Sequence, residues 1–243
     1  MNAIGIAVST VIFALRPHPT TRRPVLSIPL VRRTRAPFEG RWALPGGWVD
    51  PEESLETTAG RTLVETTGVR PSYLEQLYTF GAPDRSPTGR VVSVVYWALV
   101  RPEQIGERTD PAFDSENVGW FVADDLGSPR VPAAKRGDSW GEGDLPDLAF
   151  DHDAVVAYAL TRLRTKVEYS AIAQGLLGET FTLSELRQVH EAVLDRELDP
   201  ANFRRQVESS GTIVATGEHV KGGRHRPPRL YRYSTTIPLG ETS

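Results

Sequence analysis

A Pro-Gly-Gly turn followed at once by a helix with a strong start signal constrains this chain more than any other feature. The turn lies in Trp42-Ala43-Leu44-Pro45-Gly46-Gly47. Asp50 then reads as N-cap, Pro51 as first helical residue and Glu53 as the third position of a capping box. The helix is predicted to run to about Thr67 and to stop at Gly68 in the C′ position. Runs rich in Val, Ile and Leu predict strands over 3–14 and 24–33 before it, and over 74–80 and 91–100 after it. A shorter strand ends at Trp120-Phe121, and 126–147 reads as a long loop. Val155, Val156, Ala159, Leu160 and Leu163 then form the stripe of a helix over 151–164. Strands mixed with helices place this part of the chain in the α/β class.

Composition sets the outer limits. Of the 243 residues, 39% are apolar and 24% charged, which supports a buried core and excludes a disordered chain. Cysteine is absent, which excludes disulfides, thiolate zinc sites and cysteine nucleophiles. No apolar run approaches the ~20 residues of a membrane helix. The opening Met1–Leu15 reads as a strand rather than a signal peptide, so a cytoplasmic location is expected. The net charge of −3 is uneven: Ala201–Tyr233 carries +5, and the rest of the chain −8. A basic segment of this kind suggests nucleic acid as partner.

Gly47, Glu53, Arg61, Leu63, Glu65, Gly68 and Val69 fall at spacings that resemble the Nudix box. The resemblance implies the Nudix fold, an α/β sandwich with a mixed sheet between helices, over residues 1–165. It also implies three glutamates where this chain reads Thr62, Glu65 and Thr66. At about 100° per residue these positions share one helix face, which in the family holds Mg²⁺ against a pyrophosphate. Threonine is a neutral and poorer ligand for Mg²⁺ than a carboxylate. The expectation is therefore a pocket with weak Mg²⁺ binding at best, no required cofactor, no catalytic residues and little hydrolysis. Phe38, Arg41, Trp42, Gly46, Gly47, Trp48, Arg61 and Glu65 are its candidate ligand-binding residues. The surviving Glu53 and Glu65 keep an active Nudix pyrophosphohydrolase as the alternative.

The chain changes character after Thr165. Helices are predicted over 166–177, 183–194 and 200–210. Thr182-Leu183-Ser184-Glu185 is a capping box, and Asp199-Pro200 opens the next helix in cap-plus-proline style. Two helices joined by a link this short form a helix-turn-helix unit. With Phe203 and Val207 turned inward, Asn202, Arg204, Arg205 and Gln206 are left for base edges and phosphates. A hairpin from Thr212–Ala215 to Leu230–Tyr233 then carries Lys221, Arg224, His225, Arg226 and Arg229 as a basic wing.

A degenerate Nudix domain followed over 166–243 by a winged helix resembles the Nudix-related transcriptional regulators, the NrtR family. Leu148-Ala-Phe-Asp-His152, Tyr169-Ser170, Asn202-Phe-Arg-Arg205 and Arg229-Leu-Tyr-Arg232 carry the likeness beyond the box. It implies a dimeric repressor of NAD-metabolism genes that binds a double-stranded DNA operator and responds to ADP-ribose or a related nucleotide.

Overall fold

The computed structural model describes residues 4–18, 20–68, 71, 73–101, 104, 117–127, 146–220 and 227–234. One mixed sheet organises the first part. Its centre is β1 (Gly5–Pro17), which runs parallel to β6 (Val91–Val100) from Gly5↔Val91 to Ala14↔Val100. On its other side β1 pairs antiparallel with β4 (Gly46–Trp48) at one end and with β2 (Pro24–Arg32) at the other. The short β3 (Trp42–Ala43) and β7 (Val118–Val122) pair with β2, and β5 (Tyr73–Phe80) pairs with β6.

Alternation along the central strands decides which helix covers which face. Val11 and Phe13 of β1, with Val95, Trp97 and Leu99 of β6, face one apolar cluster. Ile12 and Ala14, with Ala98 and Val100, face the other side and meet Leu63 of α1 (Leu55–Thr67). The first face is closed by α3 (His152–Tyr169), whose Val155, Val156, Ala159, Leu160 and Leu163 are all buried, as their spacing predicts. The five-residue α2 (Ala123–Gly127) joins β7 to this layer.

Helix α1 starts later than expected. Its N-cap is Ser54, which accepts from Thr57 N–H, while Asp50 closes a turn by accepting from Glu52 N–H at 2.9 Å. The Glu53 carboxylate explains the difference. In a helix begun at Pro51, Glu53 and Arg61 would stand about 12 Å apart along the axis. The bend at 50–54 brings them together, with Arg61 Nε donating to Glu53 Oε1 at 2.8 Å. The expected stop at Gly68 is observed, in the left-handed region at φ 65°. Val69 and most of the segment 126–147 lie outside the described residues.

The second part is a winged helix: α4 (Leu183–Leu194), α5 (Pro200–Ser210), β8 (Ile213–His219) and β9 (Arg229–Tyr233). Both helix starts follow the expected chemistry. Thr182 and Glu185 form a reciprocal capping box, and Asp199 caps α5 with Pro200 in its first turn. Caps of this kind stabilise by about 0.5–2 kcal/mol each. Phe181 exchanges two backbone hydrogen bonds with Tyr231, tying the entry of α4 to the hairpin.

The helix expected over 151–164 is longer, and residues 166–169 are its last turn rather than the start of another. A 3-10 segment, Ala171–Leu176, follows and lays Gly175 directly on Leu99 of β6. A Cβ at 175 would sit 2.6 Å from Leu99 Cδ1, so only glycine permits this approach. One apolar cluster therefore runs from Val11 and Leu99 through Leu163 and Leu176 to Leu186, Phe203 and Tyr231. Polar ties follow the same route: Arg164 pairs with Asp124 and donates to the Val193 carbonyl, and Arg23 pairs with Glu197.

Candidate effector pocket and nucleic-acid interface

The Pro-Gly-Gly turn forms one wall of a cavity of about 330 Å³. Its other walls are the first half of β1, residues 85–88 after β5, and the start of α3. Gly46 pairs with Ser9 so closely that a Cβ there would overlap the Val8 carbonyl oxygen and stand 3.0 Å from Ser9 Cα. Of the expected ligand residues, Gly46, Gly47 and Trp48 line the cavity. Trp48 is exposed, with its ring over Gly5.

The remaining candidates stand elsewhere. Phe38 packs edge-on against Phe150 at 4.9 Å, and Arg41 lies over Phe38 at 5.3 Å, behind the lining. Trp42 packs against Phe121 and accepts from Ala149 N–H through its carbonyl. Arg61 and Glu65 lie along α1, bonded to each other at 3.2 Å.

Residues from distant positions complete the cavity: Arg33, Arg85, Phe150 and His152. Two arginines and no Asp or Glu line it among the described residues, so it suits an anionic, oxygen-rich ligand. The Arg33 guanidinium stacks over Phe150 at 4.8 Å, and burial pulls its pKa down. Arg85 is held in a bidentate pair with Asp151 at 2.7 and 3.0 Å. His152 is buried, and its Nδ1 accepts from Leu44 N–H at 2.9 Å. Burial drives its pKa down to about 4, with Arg85 and Arg33 adding to the effect, so the ring is neutral at physiological pH.

The carboxylates of the box are already paired within the chain. Both Glu53 and Glu65 are engaged by the single guanidinium of Arg61, and Thr58 Oγ1 donates to Glu53 as well. Hydrogen bonds from Arg61 and Thr58 hold the Glu53 carboxyl below its usual range. Thr62 is buried, and its hydroxyl donates to the carbonyls of Thr58 and Ala59 in its own helix. The Thr66 side chain lies outside what the structure describes. Among the described residues no group of three His, Asp or Glu side chains is placed to hold a metal ion.

In the winged helix, Asn202, Arg204, Arg205 and Gln206 are exposed on α5 while Phe203 is buried. The two arginines differ. Arg204 Nε donates to Glu208 at 3.1 Å, which raises its pKa, whereas Arg205 contacts the neutral amide oxygen of Asn202. Arg229 is exposed at the start of β9. Lys221, Arg224, His225 and Arg226 lie outside the described residues, beyond the point where Val220 N–H bonds to the Pro228 carbonyl.

Comparison with known proteins accounts for both halves. Residues 8–140 match the NUDIX domain, and residues 173–233 match the NrtR DNA-binding winged helix domain. A protein described as the ADPR responsive transcriptional repressor NtrR of Acinetobacter baylyi is 34% identical over 211 residues, covering 86% of this chain and 76% of the relative. The chain belongs to the NrtR family.

The crystal structure of Shewanella oneidensis NrtR complexed with a 27mer DNA superposes with a TM-score of 0.72 at 34% identity, covering 94% of this chain and 93% of that one. An ADP-ribose pyrophosphatase of Methanocaldococcus jannaschii is 30% identical over 129 residues, 52% of this chain and 62% of its own length. NrtR membership joins the two constellations in one protein, as the Leu148–His152 and Asn202–Arg205 wording implies. No helix among the described residues of this NrtR chain is long and apolar enough to cross a membrane.

Sequence reasoning missed Arg33, Arg85 and His152 as pocket residues. The Leu148–His152 string carried part of the NrtR resemblance, and that was the available signal for His152. Arg33 and Arg85 had none, because neither an arginine in the Arg32-Arg33-Thr34-Arg35 run nor one in a turn-rich link is distinguishable from a solvated one until the sheet brings them together.

Proposed function

We propose that the chain is an ADP-ribose-responsive transcriptional repressor that acts as a cytoplasmic homodimer on operators of NAD-metabolism genes. The joining of a Nudix pocket to a winged helix in one continuous core carries this reading. The regulatory role of the Acinetobacter relative and the DNA complex of the Shewanella relative support it. The two halves divide the work, residues 1–165 binding the effector and 166–243 binding DNA.

On DNA, Arg205 makes the main base contact from α5, because its charge meets no carboxylate among the described residues; Arg204 gives part of its charge to Glu208. Asn202 and Gln206 contribute amide contacts. Arg229 and the wing cations Lys221, Arg224, His225 and Arg226 neutralise phosphates. A two-fold dimer presents two such heads at a fixed spacing.

In the Nudix half, Gly46, Gly47 and Trp48 bound the effector site. Phe38 and Arg41 support it through Phe150, and Trp42 supports it through Ala149. Arg61 and Glu65 brace α1. The pocket binds without cutting, since its two box glutamates are spent on Arg61 and Thr62 offers its hydroxyl to the helix backbone. Incubation with ADP-ribose and Mg²⁺ is expected to give turnover far below the roughly 1–1000 per second of ordinary enzymes. The second reading, a pyrophosphohydrolase with an accessory DNA-binding domain, draws on the likeness to the Methanocaldococcus enzyme. Turnover within the ordinary range would establish it and overturn the sensor.

A further inference from the structure

His152 has one ring nitrogen committed and one available. Its Nδ1 accepts from Leu44 N–H, so in the neutral ring the proton resides on Nε2. Nε2–H has no partner among the described residues, although the side chain is only 6% exposed and lines the cavity. Because it opens onto the cavity rather than into sealed core, this donor can be met by a bound acceptor. The neighbouring groups fix the character of that acceptor. Arg33 and Arg85 flank it and no carboxylate lines the cavity, so it is an oxygen of an anionic ligand.

We propose that the Nε2–H of His152 donates to a phosphate or ribose oxygen of the nucleotide effector, which makes the first residue of α3 a ligand-reading residue. The proposal rests on the effector reading of the cavity. Its position gives it consequence. His152 begins the helix whose far end carries Arg164, bonded to the Val193 carbonyl of α4. Asp151, one residue earlier, anchors the same helix to the cavity residue Arg85. An effector held by His152 therefore bears on the helix that packs against the DNA-binding half.

The test uses the full-length protein, ADP-ribose as probe, and two readouts. Asparagine places an amide oxygen near the Nδ1 position and so retains an acceptor for Leu44 N–H, but it has no group at Nε2. Calorimetry is expected to show ADP-ribose affinity about 10–100-fold weaker in His152→Asn than in the parent, the range of a hydrogen bond to a charged acceptor. The second readout needs no folded variant. In the parent labelled with ¹⁵N-histidine, His152 is expected as the Nε2–H tautomer, and ADP-ribose is expected to shift its Nε2 resonance. If the parent binds ADP-ribose while His152→Asn binds within twofold of it, the inference is overturned. An Nδ1–H tautomer, or an Nε2 resonance unmoved at saturation, overturns it equally. Absence of ADP-ribose binding in the parent overturns the effector reading itself, and this inference with it.

Discussion

Replacing Asp151 with alanine is expected to destabilise the protein by about 3–5 kcal/mol, the usual cost of stranding one partner of a buried ion pair. The Arg85 side chain is 5% exposed and donates from both Nε and Nη2 to the Asp151 carboxylate. An arginine cannot shed its charge to escape burial. Without Asp151 the guanidinium must turn toward the cavity or pull 85–88 out to water. The double change Asp151→Leu plus Arg85→Leu is expected to cost much less, because no uncompensated charge remains. Urea unfolding midpoints of parent, single and double variants check this. A loss below about 1 kcal/mol for Asp151→Ala would show that the pair behaves as a solvent-screened surface contact.

Gly46→Ala is expected to cost about 3 kcal/mol or more and to abolish ADP-ribose binding. The added Cβ would meet backbone on β1, the Val8 oxygen and Ser9 Cα, and neither can step aside without breaking the β1–β4 pairing. Overpacking against a movable side chain costs about 1–3 kcal/mol, and backbone yields less readily. Gly47→Ala is the control. Its Cβ would meet only Thr62 Cγ2 at 3.6 Å, an ordinary contact, so stability should stay within about 1 kcal/mol of the parent. Thermal unfolding and calorimetry with ADP-ribose separate the two. Equal stability of both variants would mean that the turn stands off from β1.

Much of this architecture was legible in the sequence because local chemistry and burial agree. The caps at Thr182 and Asp199, the stripe on α3 and the inward Phe203 each depend on residues within one or two turns of each other. The start of α1 was misplaced because its deciding contact, Glu53 to Arg61, spans eight residues and competes with a good local signal at Asp50-Pro51. The pocket was half legible. Gly46, Gly47 and Trp48 follow from the box, whereas Arg33, Arg85 and His152 converge only when β2, the segment after β5 and α3 meet at one end of the sheet. The joining of the two halves was visible as a missing linker, but not as a shared core. Gly175 falls inside the helix predicted over 166–177, and no neighbouring residue signals that Leu99 lies beneath it.

That shared core couples the two proposed sites, so that in the proposed mechanism effector and operator compete through one body. By linkage, an effector that prefers the DNA-free arrangement must release DNA, and DNA must weaken the effector by the same factor. The direct measurement is calorimetric titration of ADP-ribose into the protein alone and into its operator complex, with operator release followed by fluorescence anisotropy. Saturating ADP-ribose is expected to release the operator, and bound operator to weaken ADP-ribose binding by a matching factor, on the order of 5–150-fold. Equal ADP-ribose affinities in the two titrations, with anisotropy unchanged, would contradict this mechanism.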